Sequence, residues 1–77
     1  MPKIPLVSGD KAVKIFQKIG YKVVRQRGSH IRMHHLFDKS KKPLTIPRHK
    51  SLGEGLIRKL LRDARITSDN FHKLIRK

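Results

Sequence analysis

Two stretches of the chain carry apolar residues at helical spacing, and a β-favouring region lies between them. The first stripe recurs at i, i+3, i+4 and i+7, on Ala12, Ile15, Phe16 and Ile19. It predicts a helix over residues 8–19, with Ser8 as its N-cap and Gly20 as its stop signal. The second stripe has the same spacing and predicts a helix over about residues 54–65, on Ile57, Leu60, Leu61 and Ala64. A short third helix, capped by Thr67 or Ser68, is expected to follow.

The region between the helices predicts three strands. Residues 21–27 contain β-favouring side chains, residues 30–37 alternate from side to side, and residues 44–46 form a short third strand closed by a proline. Gly28-Ser29 predicts a two-residue turn of type II′, so the first two strands should form a hairpin.

Regular pairing across this turn predicts which side chains share a face. The expected facing pairs are Arg27 with His30, Arg25 with Arg32, and Val23 with His34. Because side chains alternate along a strand, one face, called the outer face below, collects Arg25, Arg27, His30, Arg32 and His34. The opposite face is expected to pack on the helices through Val24, Ile31, Met33 and Phe37.

The order of elements, α-β-β-β-α with a further short helix, predicts an α+β fold. Two helical stripes and the apolar face of a three-stranded antiparallel sheet can bury one another, which leaves the other face of the sheet open. No repeat or internal linker interrupts residues 1–77, so we expect a single domain with one open basic face.

The charge of the chain is strongly one-sided. Lys and Arg number 20 against 5 Asp and Glu, which gives a formal net charge of +15. A domain so basic predicts a polyanionic partner, and nucleic acid is the commonest one. The longest apolar runs are two residues, so no membrane span is expected, and a cytoplasmic setting fits best.

Residue types argue against several kinds of catalytic site. There is no Cys for a thiolate zinc site, and the five acids are scattered over caps, loops and helix surfaces. Gly53-Glu54-Gly55 lacks the spacing and the Lys-Ser/Thr pair of a phosphate-binding loop. We therefore expect neither a metal ion nor a small-molecule cofactor.

His30 is the strongest catalytic candidate. It should follow the hairpin turn directly, where a substrate can approach, with Arg25, Arg27 and Arg32 around it. These cations disfavour a further positive charge on the ring, so a neutral imidazole is expected. A neutral imidazole can take the proton of a ribose 2′-hydroxyl, and the alkoxide attacks the adjacent phosphate while the arginines stabilise the added charge. This chemistry acts on RNA and not on DNA, which lacks the 2′-hydroxyl.

Further candidates for RNA contact lie near His30 or in a basic loop. Ser29 directly precedes it, and His34 is expected on the same face as a second acid/base or as an RNA contact. Arg48 and His49 precede the second helix, where His49 is equally well interpreted as a phosphate contact, as a proton-transfer group or as a solvated loop residue.

Some of these residues form short motifs that are typical of one protein family. The most specific is Gly28-Ser29-His30 after an arginine-bearing strand, and the next is the Pro47-x-His49 pattern before the second helix. With these motifs the chain resembles the HicA-type toxins of bacterial and archaeal toxin–antitoxin modules. The resemblance implies a fold like the double-stranded-RNA-binding domain and cleavage of messenger RNA with His30 as the catalytic residue. It also implies a cognate HicB-type antitoxin that blocks the active face.

The resemblance extends over nearly the whole chain, through residues 8–9, 19–21, 24–30, 45–49 and 55–64. The chain departs from the family pattern at Arg65, where the family often has a glycine that ends the helix. This departure concerns the end of the second helix and not the chemistry of the outer face.

Two other functions are compatible with the same features. A non-catalytic RNA-binding module would have the same charge and the same order of elements, although binding alone does not require a histidine beside a glycine-containing turn. A protein-interaction module would use the positive face for an acidic partner and would bind RNA weakly.

Overall fold

The computed structural model describes residues 4–76 and confirms the predicted order of elements. The helices are α1 (Gly9–Gln17), α2 (Glu54–Ala64) and α3 (Ser68–Arg76), and the strands are β1 (Tyr21–Arg27), β2 (His30–His35) and β3 (Leu44–Pro47). The strands form an antiparallel sheet in the order β1-β2-β3. This α+β arrangement is of the double-stranded-RNA-binding-domain type. Of the domain expected over residues 1–77, residues 1–3 and 77 lie outside the described residues.

Side-chain caps begin α1 and α3 at the predicted positions. The Ser8 hydroxyl oxygen accepts a hydrogen bond from the Lys11 backbone N–H at 3.1 Å. The Thr67 hydroxyl oxygen accepts one from the Asn70 backbone N–H at 3.1 Å. Thr67 is therefore the residue that caps α3, since a side-chain oxygen satisfies one of the free N–H groups of the first turn.

Helix α2 ends at Arg65, which has a left-handed backbone with a φ of 58°. The backbone N–H groups of Arg65 and Ile66 donate to the carbonyl oxygens of Arg62 and Leu61 at 3.2 and 3.1 Å, which is a Schellman motif. Glycine is the usual residue in this conformation because it has no Cβ to collide with the following carbonyl. The helix thus ends where predicted, with an arginine in the position that favours glycine.

The hairpin turn and the pairs next to it are confirmed. Gly28 has a φ of +58° whereas Ser29 does not have a positive φ, as a type II′ turn requires. The confirmed facing pairs are Arg27 with His30 and Arg25 with Arg32. The end of the hairpin nearest the turn therefore has the predicted register.

The predicted register of the hairpin is wrong farther from the turn. A β-bulge at Val24 adds one residue to β1, so Val23 faces Met33, and it is Lys22 that faces His34. Val24 was expected on the inner face, but its side chain is 50% exposed. Because the extra residue inverts the alternation, Val23 now lies at the core and Val24 does not.

The core lies between the inner face of the sheet and the helices. The Phe16 ring of α1 packs edge-on against Tyr21 of β1, with ring centroids 5.8 Å apart, and lies 6.4 Å from the Phe71 ring of α3. Ile31 and Met33 of β2 are buried on this face, as predicted. No helix within the described part of the chain is long and apolar enough to cross a membrane.

The expected place of Phe37 on the inner face is wrong. Its side chain is 83% exposed, because β2 ends at His35 and Phe37 belongs to the loop that follows. With the helices on the inner face, the outer face has no covering element among residues 4–76.

Candidate nucleic-acid interface

The outer face contains an open pocket of about 700 Å³. Five of its lining residues are the basic side chains predicted for this face, and two are not basic. The lining consists of Val24, Arg25, Arg27, His30, Arg32, His34 and Thr45. The predicted basic residues of β1 and β2 are therefore brought together around one depression.

His30 lies on the outer face at the end of the central strand nearest the hairpin turn. It is the first residue of the central strand, directly after the turn, and its side chain is exposed. Arg27 faces it on one side, and Pro47 of β3 faces it on the other. The glycine at the start of the turn permits a positive φ, so the chain reverses in two residues next to the imidazole.

Arg25 and Arg32 lie directly opposite one another across β1 and β2. Like charges in facing positions destabilise a sheet, and cross-strand pairs generally contribute about 0.2–1 kcal/mol. The Arg32 guanidinium donates to the Thr45 hydroxyl oxygen on β3 at 2.8 Å. This bond holds Arg32 along the sheet toward β3 and leaves its other N–H groups available to an anion.

Three of the five acidic side chains form ion pairs that do not involve the pocket. Within residues 4–76, Asp10 pairs with Arg48, Glu54 with Arg58 and Asp63 with Lys59. The pocket lining contains no carboxylate. The positive charge of Arg25, Arg27 and Arg32 is therefore not neutralised by any described acidic side chain, and an external anion would find all three guanidinium groups on one face.

The loop that holds Arg48 and His49 is fixed beside the hairpin turn. The Arg48 backbone N–H donates to the Ser29 carbonyl oxygen at 2.7 Å, and the His49 carbonyl oxygen accepts from the Gly9 N–H at 2.9 Å. The Arg48 guanidinium binds Asp10 through two hydrogen bonds of 2.9 and 3.3 Å. The hydrogen bonds and the charge of Asp10 raise the pKa of Arg48 above its usual value.

The structure thus separates the candidates into two groups. His30, His34 and the three arginines of β1 and β2 share the pocket, whereas Arg48 and His49 are exposed next to the turn but do not line the pocket. Ser29 contributes its carbonyl oxygen to the link with Arg48. Among residues 4–76, no three His, Asp or Glu side chains come together in a group that could hold a metal ion.

His35 lies on the opposite side of the sheet from His34, and its ring is held by hydrogen bonds to the backbone. Its Nε2 lies 2.7 Å from the Ile19 carbonyl oxygen, and its Nδ1 accepts from the Phe37 and Asp38 backbone N–H groups at 3.2 and 2.9 Å. A carbonyl oxygen can only accept, so Nε2 carries the ring proton. The imidazole therefore bridges the end of α1 and the end of β2.

Three residues of the outer face were not predicted. Val24 and Thr45 line the pocket, and Lys22 takes the position opposite His34. The sequence contains a signal for the exposure of Val24. In a regular strand Tyr21 and Val23 would both face outward, and a single bulge turns both of these apolar side chains inward at the cost of exposing Val24.

The fold and the face together define a small basic domain that has the fold of the double-stranded-RNA-binding domain and an uncovered, cationic sheet. A family model described as the HicA toxin of bacterial toxin–antitoxin systems matches residues 9–66, which is most of the chain. The chain therefore belongs to the HicA toxin family, and the resemblance inferred from its motifs is confirmed. The matched region contains α1, the whole sheet and α2. No curated protein sequence matches the chain significantly.

Proposed function

We propose that this protein is the toxin of a type II toxin–antitoxin system and that it acts as a metal-independent endoribonuclease on messenger RNA. The observation that carries the proposal is the exposed imidazole of His30 on an uncovered face that also holds Arg25, Arg27 and Arg32 without a described carboxylate. In this proposal residues 1–77 act as one RNA-cleaving domain, and the cytoplasm, where messenger RNA is translated, is its place of action.

The proposed reaction begins with proton transfer. The neutral imidazole of His30 removes the proton of a ribose 2′-hydroxyl, and the 2′-oxygen attacks the adjacent phosphorus. The bond from phosphorus to the 5′-oxygen of the next nucleotide breaks, which leaves a 2′,3′-cyclic phosphate and a 5′-hydroxyl end. Arg25, Arg27 and Arg32 stabilise the additional negative charge on the phosphoryl oxygens during this step.

The leaving 5′-oxygen requires a proton. His34 lines the same pocket as His30 and is the candidate acid on the outer face, with His49 beside the turn as the alternative. No metal ion is needed, because the imidazole provides the base and the guanidinium groups provide the charge stabilisation. The second partner in this proposal is a HicB-type antitoxin that covers the outer face and offers carboxylates to Arg25, Arg27 and Arg32.

The direct test measures cleavage of labelled RNA in the presence of EDTA. We expect His30→Ala to remain folded and to lose about 10²–10⁴ in rate, the usual contribution of a positioned acid or base. His72→Ala on α3, away from the outer face, is the matched control and should cleave at the parent rate. A substrate with a 2′-deoxy sugar at the cleaved position should resist the parent protein, and products should carry cyclic phosphate ends. Cleavage by His30→Ala at the parent rate contradicts the proposal.

A salt titration of RNA binding separates the two alternative functions from this one. Contact with about five phosphates of a single strand predicts a slope near −3.5 in a plot of log affinity against log salt concentration. RNA that stays intact but binds with this slope indicates a non-catalytic binding module. A flat response indicates that the positive face exists for an acidic protein.

A further inference from the structure

The bulge places an aliphatic side chain among the guanidinium groups of the outer face. Val24 has no facing partner in β2, its side chain is 50% exposed, and it lines the same pocket as Arg25, Arg27 and Arg32. Without the bulge this position would point to the core, as regular alternation predicts. The pocket therefore combines three cations with one apolar surface that solvent reaches.

Cations and an isopropyl group recognise different parts of a ligand. Arg25 and Arg32 can bind phosphate oxygens, but the methyl groups of Val24 offer nothing to a phosphate. They gain free energy only by covering apolar ligand surface. Nucleobases have such surface on their faces. Aromatic side chains bind it by stacking, which is sequence-tolerant because every base has a π-face, and an isopropyl group can cover the same surface by apolar contact.

We propose that Val24 is the contact surface for a nucleobase, and that the outer face accordingly selects an unpaired RNA strand. This inference rests on the proposed function, because it names the form of RNA that the same site takes. In a duplex the base faces are stacked on one another and only phosphates, 2′-hydroxyls and base edges are presented. A duplex could therefore satisfy the arginines but not Val24.

The charges of the pocket favour RNA over a protein ligand as the occupant. The outer face has cations on both β1 and β2, and its lining contains no carboxylate. A strand of RNA brings one phosphate and one base with every nucleotide, so it offers both the charge that the arginines bind and the apolar surface that Val24 can cover. A protein would need to bring several carboxylates and an apolar side chain in the same arrangement.

The test measures binding in a His30→Ala background, so that the RNA is not cut. Fluorescence anisotropy gives the dissociation constants for a 12-nucleotide RNA of mixed sequence, for the same strand annealed to its complement, and for the same strand with abasic sites. The variants are Val24→Ala and Val24→Phe, and the control is Leu6→Ala, since Leu6 is 58% exposed and does not line the pocket. Circular dichroism establishes that each variant is folded.

We expect Val24→Ala to weaken binding of the single strand about five-fold, at the low end of what one base contact contributes. Val24→Phe should strengthen it by a similar factor, and Leu6→Ala should leave it unchanged. Neither Val24 variant should change the affinity for the duplex or for the abasic strand, nor the salt dependence, because no charge is altered.

Equal effects on the single strand and the duplex, or no effect on either, overturn the assignment of Val24. An unchanged RNA affinity together with a weakened complex with the cognate antitoxin also overturns it and places Val24 in a protein interface. Failure of the proposed function has a different signature, because the parent protein would then leave the RNA intact in the cleavage assay, whatever the Val24 variants do to binding.

Discussion

The Arg48 backbone N–H donates to the Ser29 carbonyl oxygen at 2.7 Å, and this bond links the loop before α2 to the turn that precedes His30. The same loop is held at the start of α1, where the Arg48 guanidinium binds Asp10 and the Gly9 N–H donates to the His49 carbonyl oxygen. The hairpin turn, the loop before α2 and the start of α1, which are distant in sequence, thus meet next to His30, the catalytic candidate. Changes at this junction should alter the outer face without touching its side chains.

Gly9→Ala tests this junction. A Cβ at Gly9 would collide with the Pro47 carbonyl oxygen and approach the Arg48 Cα to 2.9 Å, and backbone atoms cannot move aside as a flexible side chain can. We expect a loss of about 1–3 kcal/mol of stability from overpacking, together with slower RNA cleavage. Gly55→Ala is the matched control, because its Cβ would meet nothing within 4 Å. It should be neutral or should stabilise α2 by up to about 1 kcal/mol. Urea denaturation measures both, and equal stability of the two variants would contradict the proposed collision.

Substitution by alanine should lower the stability of the protein at His35 and the rate of RNA cleavage at His30. His35→Ala leaves the Ile19 carbonyl and the Phe37 and Asp38 N–H groups without the imidazole that binds them. We expect a loss of about 0.5–1.5 kcal/mol, the net contribution of a typical hydrogen bond, because the two N–H groups are exposed and water can replace the imidazole there. His30→Ala removes an exposed side chain, so its stability should change by no more than about 0.5 kcal/mol. Denaturation curves and cleavage rates measured on the same samples distinguish the structural histidine from the catalytic candidate.

Tyr21 should make the stability of the fold depend on pH in the alkaline range. Burial, with smaller contributions from the charges of Asp63 and Asp38, raises the pKa of Tyr21 to about 12. Its hydroxyl donates to the Lys42 carbonyl oxygen at 2.8 Å. In the unfolded chain a tyrosine ionises near pH 10, so its contribution is complete below pH 10 and is lost as the pH rises toward about 12.

Tyr21→Phe isolates this contribution from the titration of the many lysines. The variant loses the hydrogen bond, which is worth about 1 kcal/mol, but should show a shallower decline in stability between pH 10 and 12 than the parent. Denaturant midpoints measured at intervals from pH 8 to 12 provide the comparison. Parallel curves for parent and variant would show that Tyr21 does not ionise differently in the folded state.

Arg65→Gly should stabilise the protein. Arg65 has a left-handed backbone at the end of α2, which costs a non-glycine residue roughly 1–2 kcal/mol. We expect a gain of about 1 kcal/mol, reduced by the greater freedom of glycine in the unfolded chain. Arg62→Gly is the matched control within the last turn of the helix and should lose about 1 kcal/mol. Thermal denaturation should move the two variants in opposite directions, and a destabilised Arg65→Gly would contradict the argument.

The helices and the end of the hairpin near the turn could be predicted because their signals are local. The i, i+3, i+4, i+7 stripes, the Ser8 and Thr67 caps and the Gly28-Ser29 turn each lie within a few residues of what they specify. The pairs next to the turn follow from the turn itself. The placement of His30 and the three arginines on one face follows from the same local rule, since all of them lie within three residues of the turn.

The bulge in β1, the place of Thr45 and the ion pair of Arg48 could not be predicted, because they depend on contacts between segments that are distant in sequence. The bulge at Val24 arises because Tyr21 and Val23 must both reach the core, whereas Arg25 and Arg27 must both remain outside, and regular alternation cannot satisfy both demands. Thr45 enters the site only because β3 pairs with β2. The engagement of Arg48 with Asp10 joins side chains 38 positions apart, and neither sequence neighbourhood indicates the other.

The extra residue in β1 divides the hairpin into two parts with separate tasks. Substitutions at Tyr21 and Val23 act on the packing of the protein interior, whereas substitutions at Arg25 and Arg27 act on the charge of the outer face. The side chains near the turn can therefore vary during evolution without disturbing the interior. Deleting Val24 would couple the two tasks again, since either the aromatic ring or the guanidinium groups would then have to turn to the wrong side.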